Sequence, residues 1–189
     1  MDRKQKLNKL KRQMEAADLP LKKGATNLVF GTGNPKTKIL FIGEAPGYWE
    51  DIKGVPFVGN AGKLLDVLLQ SIELKREEVY ITNVIHHRPP QNRDPQPAEI
   101  AAYNPYLDKI IEIIRPKIIV TLGRFSMSKF LPDTRITSVH GRCFDVNWKG
   151  RLIKVIPMFH PAAALRSVEI MKQIKDDFLK IPEILKKLI

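Results

Sequence analysis

Residues 43–62, GEAPGYWEDIKGVPFVGNAG, form a long connection between a predicted strand and a predicted helix. The apolar run ILFI at 39–42 is short and rich in branched side chains, which is typical of a buried strand. Residues 63–69 repeat apolar side chains at helical spacing. The connection holds five glycines and two prolines, which predict a closely specified backbone path. Open α/β folds bind ligands at such connections; the alternative is an ordinary loop that caps the core.

The composition is typical of a globular domain with a strong positive charge. The 189 residues suggest one domain over 1–189, with 43% hydrophobic and 28% charged residues. The formal net charge is +12 and the pI is about 9.8. Such a charge favours a polyanionic partner, nucleic acid first and an anionic membrane second. The alternative is that the charge serves only solubility.

Several classes of protein are excluded by what the chain contains. Its single cysteine, Cys143, excludes an internal disulfide framework and argues against a metal site built from cysteines. No apolar run approaches the roughly 18 residues that a membrane span needs. No apolar segment follows the basic N-terminus, as it would in a secretory signal. We therefore expect a soluble protein of the cytoplasm.

Strand and helix patterns alternate along the chain, which predicts the α/β class with a mainly parallel central sheet of about four strands. The loops 43–62, 83–93 and 158–166 follow predicted strands, so we expect them to converge at one edge of that sheet. The basic first helix presents either a solvated face or a surface toward DNA. The predicted elements are helices over about 2–16, 61–72, 98–114 and 124–131, strands over 27–30, 38–42, 79–85 and 117–122, a hairpin of 142–146 with 152–157, and a last helix over about 162–187 kinked at Pro182.

A set of short motifs occurs in order along the chain. They are GEAPG at 43–47, ED at 50–51, GxPFVGxAG at 54–62, TNV at 82–84, RPPxNR at 88–93, LG at 122–123, HGR at 140–142 and HPAA at 160–163. Together these motifs resemble those of the family 4 uracil-DNA glycosylases, over about residues 19–175. The resemblance implies a three-layer α/β/α fold and a DNA repair enzyme that extrudes uracil from DNA and cleaves its N-glycosidic bond.

The resemblance has one large departure, which concerns a cofactor. Family 4 enzymes resemble one another in holding a four-cysteine iron–sulfur cluster, whose ligands should fall near Ala16, Leu19, His87 and Tyr103. None of these residues is a cysteine, and an iron–sulfur cluster needs thiolates. We predict no cluster, no other metal and no other cofactor. We expect apolar and aromatic packing to take over the structural task of the cluster, and the alternative is another metal held by His87 with Tyr103.

Three residues are predicted to surround the extruded base, as the resemblance implies. Phe57 provides a stacking surface, and stacking of this kind contributes about 1–3 kcal/mol. Asn83 reads the base edge, because its amide can accept from uracil N3–H and donate to O4. His160 donates to uracil O2 and stabilises the negative charge on the departing base. The alternatives are a core Phe, an Asn at a strand end and a structural His.

Water activation is less clear from the sequence. The best-known uracil-DNA glycosylases use an aspartate where this chain has Ala45. Glu44 and Glu50 remain as candidates to position water and offset the charge of the sugar, with Glu44 favoured. Gly43 and Ala45 are expected to lie against the substrate. Asp51 is expected to order the loop.

A second group of residues is predicted to contact DNA rather than the base alone. Asn92 is expected near the water or the extruded nucleotide. Leu165 is a candidate wedge for the space that the base leaves, and ordinary helix packing is the alternative. Phosphate contacts are assigned to Arg88, Arg93, Arg142 and Arg166, for which simple surface charges are the alternative.

The predicted function is therefore that of a cofactor-free monomeric uracil-DNA glycosylase, associated with the nucleoid and acting on single- or double-stranded DNA. One alternative is a DNA-binding module without activity. Another is a glycosylase of altered scope, which removes hypoxanthine or xanthine or traps DNA covalently.

Overall fold

A six-stranded sheet organises the chain, of which the computed structural model describes residues 1–188. The strand order is β1-β3-β2-β4-β6-β5. The four central strands are parallel, whereas β1 and β5 pair antiparallel at the two edges. This confirms the α/β class, the mainly parallel sheet and the hairpin, whose first arm β5 is one edge of the sheet; the other edge strand, β1, was not predicted at these residues. The strands are β1 Thr32–Gly33, β2 Ile39–Gly43, β3 Tyr80–Asn83, β4 Ile118–Leu122, β5 Phe144–Trp148 and β6 Arg151–Met158.

Helices cover both faces of the sheet and produce three layers. Alternate side chains of β2 enter opposite cores, because successive residues of a strand point to opposite faces. Leu40 packs with α1 and α4 in one core, whereas Phe41 packs with α3 and α8 in the other. The helices are α1 Arg3–Ala16, α2 Tyr48–Lys53, α3 Asn60–Ser71, α4 Pro97–Ile114, α5 Arg124–Ser128, α6 Ile136–Val139, α7 Pro161–Ala164, α8 Val168–Phe178 and α9 Ile181–Lys186.

The predicted last helix over 162–187 is wrong, because the structure divides it into α7, α8 and α9. Ser167 starts a new helix, since its hydroxyl accepts a hydrogen bond from the Ile170 amide at 3.2 Å. Pro182 lies in the first turn of α9, where its missing N–H is no loss, and it does not kink a continuous helix.

Two further predicted elements also differ in the structure. The segment 27–30 is not a strand; Thr32 and Gly33 pair with β3 instead, opposite Ile81 and Tyr80. The helix predicted over 124–131 ends at Ser128. Within residues 1–188, no helix is both long and apolar enough to cross a membrane.

Candidate functional site

A cavity of about 510 Å³ opens where the parallel strands end. The loops after β2, β3 and β6 all contribute to it, which confirms that the three predicted loops converge. The structure divides the first of these loops with the short helix α2, which sequence patterns did not indicate. Of the predicted site residues, nine line the cavity: Glu44, Ala45, Glu50, Phe57, Asn83, Asn92, Arg93, His160 and Arg166.

Phe57 forms one wall of the cavity and is held in an unusual backbone conformation. Its φ is +53°, a left-handed value that few bulky residues adopt. Gly62 makes this possible, because a Cβ at position 62 would lie 1.9 Å from the Phe57 carbonyl oxygen. Gly43 lies behind the same ring, and a Cβ there would lie 2.6 Å from it. Gly43 therefore backs the cavity without lining it.

Asn83 ends β3 with its amide in the cavity. The side chain is 2% exposed, and Oδ1 has no hydrogen-bond partner among the residues that the structure describes. A buried polar atom without a partner is costly, so its presence calls for an explanation. A ligand that donates a hydrogen bond to Oδ1 would supply one.

His160 follows β6 and caps the N-terminus of α7. Its Nδ1 accepts a hydrogen bond from the Ala162 amide at 3.1 Å, so the proton of the neutral ring is on Nε2. Burial lowers the pKa of His160 to about 4, which keeps the ring neutral near pH 7. Its ring stacks against Phe57 with the centroids 5.6 Å apart, so the two rings are neighbours in the lining of the cavity.

Glu50 holds the loop that carries Phe57. Its Oε1 accepts hydrogen bonds from the amides of Val58 at 2.9 Å and Gly59 at 2.8 Å. Gly59 is the N-cap of α3, where a negative charge is favourable. This carboxylate is therefore occupied in fixing the wall of the cavity.

Asp51 fixes the other side of the same loop, as the sequence predicted. Its buried carboxylate accepts hydrogen bonds from the amides of Thr26 at 2.9 Å and Asn27 at 3.1 Å. The Asn27 amide group donates in return to the Asp51 carbonyl oxygen at 2.8 Å. These contacts join α2 to the segment that precedes β1.

Glu44 is the carboxylate that remains directed at the cavity. Burial raises its pKa to about 7, although the Phe125 amide and the positive charge of Arg124 oppose this rise. The Phe125 amide lies 3.4 Å from Oε1. Gly123 provides the space for this carboxylate, because a Cβ at position 123 would lie 2.1 Å from Oε1. Glu44 is thus poised between its charged and neutral forms near pH 7.

Arg124 and Asp94 also line the cavity, and sequence patterns gave neither of them a role. They form a salt bridge between the loop after β3 and the start of α5. Both side chains are exposed, so the charge pair is solvated. Because the two charges are far apart in the sequence and belong to no motif, no sequence pattern indicates that they form a salt bridge.

The predicted DNA contacts have mixed positions. Arg166 lines the cavity, and the exposed Leu165 beside it is free of core packing. Arg88 lies outside the lining, but its Nε donates to Asn92 Oδ1 at 2.7 Å. Arg142 is exposed, outside the lining, with its guanidinium 5.5 Å from the Phe144 ring centroid.

Arg93 is engaged by a partner within the protein. Its guanidinium forms hydrogen bonds of 2.6 and 2.9 Å with the two carboxylate oxygens of Glu99. This pairing raises the pKa of Arg93 and lowers the pKa of Glu99. A phosphate would have to compete with Glu99, so this phosphate contact stays a prediction.

The four positions that the resemblance assigns to cluster ligands carry no thiol. Leu19 and Tyr103 are buried in the same apolar core, and Ala16 is exposed. His87 Nδ1 lies 2.6 Å from the Tyr103 hydroxyl, which donates to the Pro20 carbonyl oxygen. The donor set does not fit an iron–sulfur cluster, whose irons are bound by thiolates. In residues 1–188 no three His, Cys, Asp or Glu side chains converge to hold a metal.

Known proteins are similar to this chain in sequence over most of its length. A family model described as the uracil DNA glycosylase superfamily matches residues 30–181. The chain is 47% identical over 176 residues to the type-4 uracil-DNA glycosylase of Archaeoglobus fulgidus, which covers 90% of this chain and 88% of that protein. The type-4 uracil-DNA glycosylase of Saccharolobus solfataricus is 50% identical, over 84% of this chain and 76% of that protein. The type-4 enzyme of Thermotoga maritima is 44% identical, over 89% of this chain and 88% of that protein.

Proposed function

This chain belongs to the uracil-DNA glycosylase superfamily, among the type-4 uracil-DNA glycosylases, and from this premise we propose that it removes uracil from DNA. It is a DNA repair enzyme that hydrolyses the N-glycosidic bond and leaves an abasic site. The observation that carries this proposal is the buried, unpartnered Oδ1 of Asn83 within the cavity.

The target base must leave the helix before it can be recognised. A stacked and paired base does not expose its glycosidic bond to side chains, so glycosylases extrude the nucleotide into a pocket. The cavity of about 510 Å³ has a size that suits a small ligand. Phe57 offers its ring as a stacking surface to the extruded base, and the His160 ring lies next to it.

Asn83 selects uracil by its hydrogen-bond pattern. Uracil N3–H donates to Oδ1, which needs a donor, and Nδ2 donates to uracil O4. Cytosine presents an acceptor at N3 and a donor at N4, so both contacts would be mismatched. Each unpaired buried group costs about 1–3 kcal/mol, so the cavity disfavours cytosine.

His160 acts as a neutral hydrogen-bond donor. As the bond between C1′ and N1 breaks, its electron pair passes to the base, and negative charge accumulates on N1 and O2. The Nε2–H of His160 donates to O2 and stabilises this anion. A pKa of about 4 ensures that the donor is imidazole rather than imidazolium at neutral pH.

Glu44 acts on the sugar side of the bond. Loss of the base leaves positive charge on the sugar, and an ionised carboxylate offsets it. Glu44 also orients the water that attacks C1′ and accepts its proton. Oε1 of Glu50 already accepts two amide hydrogen bonds, which supports the preference for Glu44.

DNA reaches the cavity along a surface of positive charge. The formal net charge of +12 favours a polyanion, and Arg88, Arg142 and Arg166 supply candidate phosphate contacts. The exposed side chain of Leu165 fills the space that the extruded base leaves. We assign single- and double-stranded DNA as substrates to a cytoplasmic monomer that works without a cofactor.

The experiment is a uracil-release assay on a labelled oligonucleotide, run beside a gel-shift assay. We expect uracil release and an alkali-labile site with the wild type, and a large loss with Asn83→Ala and His160→Ala. DNA binding without base release would favour the non-catalytic module instead. Activity that is unchanged by both substitutions would contradict the roles of Asn83 and His160 in binding the base. Iron and sulfide analysis of the purified protein tests the absence of a cluster.

A further inference from the structure

Two neighbouring aromatic side chains of α2 are exposed beside the cavity. Tyr48 is 48% exposed and Trp49 is 55% exposed. Their rings meet edge to face with the centroids 5.1 Å apart. Large apolar side chains of this kind are normally covered, and two together on a short helix form a surface suited to a flat partner.

This aromatic pair is attached to the walls of the cavity on both sides. Gly47 and Glu50, which flank the pair in sequence, line the cavity. The Trp49 ring lies 3.8 Å from where a Cβ on Gly59 would be, on the loop that holds Phe57. The pair therefore lies at the rim of the cavity.

A cation completes the arrangement at Tyr48. The Arg88 guanidinium lies 5.1 Å from the Tyr48 ring centroid and also donates to Asn92, which lines the cavity. With one face of Tyr48 covered by Arg88, Trp49 is the ring better placed to accept a new partner. A cation adjoining an aromatic surface suits a base that is joined to a phosphate.

We propose that Trp49, supported by Tyr48, is a stacking surface for the unpaired nucleobase next to the extruded uracil. This inference rests on the proposed function and adds a second base-binding site to it. Extrusion of uracil removes one stacking partner from each neighbouring base and exposes an apolar face. Stacking on the indole replaces the lost contact and holds the strand with uracil in the cavity. The adjoining exposed residues Ile52 and Val55 extend the apolar surface.

The test compares protein and DNA changes in a double-mutant cycle. The DNA is a short single strand with one 2′-fluoro-deoxyuridine, in which the fluorine slows bond cleavage. In matched strands, an abasic spacer replaces the base on the 5′ side, the 3′ side or both. Binding of wild type and Trp49→Ala is measured by fluorescence anisotropy. We expect Trp49→Ala to weaken binding to the full strand about 5-fold to 150-fold, the range for loss of one stacked base.

The proposal requires that the effects of Trp49→Ala and of the abasic spacer on binding are not independent. At least one spacer should weaken wild-type binding by a similar factor, and Trp49→Ala should add little on that strand. If the two losses multiply on every strand, or if Trp49→Ala has no effect, the proposal is overturned. The proposal would also be overturned if this surface bound a second copy of the chain. In that case Trp49→Ala would change the sedimentation of the protein and leave its affinity for DNA unchanged.

Control variants separate stacking from general damage. Trp49→Phe keeps an aromatic ring and should retain most of the affinity. Leu152→Ala removes an apolar side chain that is 73% exposed, at the start of β6 and thus opposite the cavity, and should bind like the wild type. Because Trp148 is buried, the difference in emission between wild type and Trp49→Phe isolates Trp49, which DNA should quench.

The outcome for the proposed function is measured separately, as uracil release by the wild type. If the wild type releases uracil but the losses of affinity in the cycle are independent, the stacking surface is overturned and the proposed function stands. A coupled cycle without release would overturn the proposed function and leave the stacking surface in place, because the anisotropy measurement requires no cleavage.

Discussion

At the scale of single residues, Asn83 gives the sharpest prediction. Asn83→Ala removes both hydrogen bonds to the uracil edge, so we expect kcat/KM for uracil release to fall about 30-fold or more, from about 1 kcal/mol or more for each bond. Free uracil should also inhibit the variant less than the wild type. The matched control is Asn147→Ala, which changes an exposed amide on β5. Equal rates for wild type and Asn83→Ala would contradict the assignment.

Glu44 predicts how the rate depends on pH. Its pKa is raised to about 7, so the carboxylate is mostly protonated below that pH and mostly charged above it. Because we propose that the charged form orients water, we expect the single-turnover rate to rise with pH through about 7. His160 titrates only near pH 4 and adds nothing in this range.

Glu44→Gln should abolish that rise and lower the rate about 10²-fold to 10⁴-fold. Glu73→Gln, at an exposed carboxylate outside the cavity lining, is the control and should keep the wild-type profile. A pH rise that persists in Glu44→Gln would assign the titration to another group.

At the scale of elements, Glu50 connects α2 to the start of α3. Glu50→Ala leaves the amides of Val58 and Gly59 without their acceptor, which we expect to cost about 1.5–3 kcal/mol in the free energy of unfolding. Hydrogen exchange at these two amides should accelerate, whereas Glu50→Gln should protect them in part. Unchanged exchange in Glu50→Ala would show that the loop holds itself without this carboxylate.

The contact between α4 and the segment after α1 depends on Tyr103. Tyr103→Phe leaves His87 Nδ1 and the Pro20 carbonyl oxygen without their partner. We expect a loss of about 1–3 kcal/mol in the free energy of unfolding, measured by urea denaturation. Tyr106→Phe, on the same helix and partly buried, is the control and should cost less. Equal urea midpoints for the two variants would contradict this role.

The elements themselves were predictable where burial determines the sequence pattern. Strands β2 and β4 are buried on both faces, so each is a continuous apolar run that is visible without a structure. The last helix was mispredicted because Leu and Ile continue at helical spacing across its breaks. A single Ser167 hydroxyl, which starts α8, outweighs that pattern locally.

At the scale of the whole molecule, buried histidines predict loss of stability in acid. Burial lowers the pKa of His86 to about 3 and those of His87 and His160 to about 4. Between these values and 6.5 the unfolded chain binds more protons than the folded one, so stability rises with pH across that window. The raised pKa of Glu44 acts in the opposite direction between 4.5 and 7, but it is one group against three.

Thermal unfolding from pH 3.5 to 7 should therefore show Tm increasing with pH. Substitution of His86 by Asn should reduce the slope, because that site then no longer titrates. A Tm that is flat or falls over this range would contradict the neutral state of these rings.

Convergence of the loops was also predictable, because parallel strands bring their carboxyl ends to one edge. Which side chains meet there was only partly predictable. Asn83 is the last residue of β3 and His160 lies two residues after the end of β6, so their positions derive from the topology. The salt bridge of Arg124 with Asp94 depends on the path of two loops, which no local pattern specifies.

The tight clearances around Phe57 constrain how this enzyme can diversify. Positions 43 and 62 admit glycine only, since any larger residue would collide with the Phe57 ring or its carbonyl oxygen. In a library of variants made to find new base preferences, we expect substitutions at positions 43 and 62 to disturb the fold. Ala45 and Ala61 also line the cavity and already carry a Cβ, so randomised positions are better placed there.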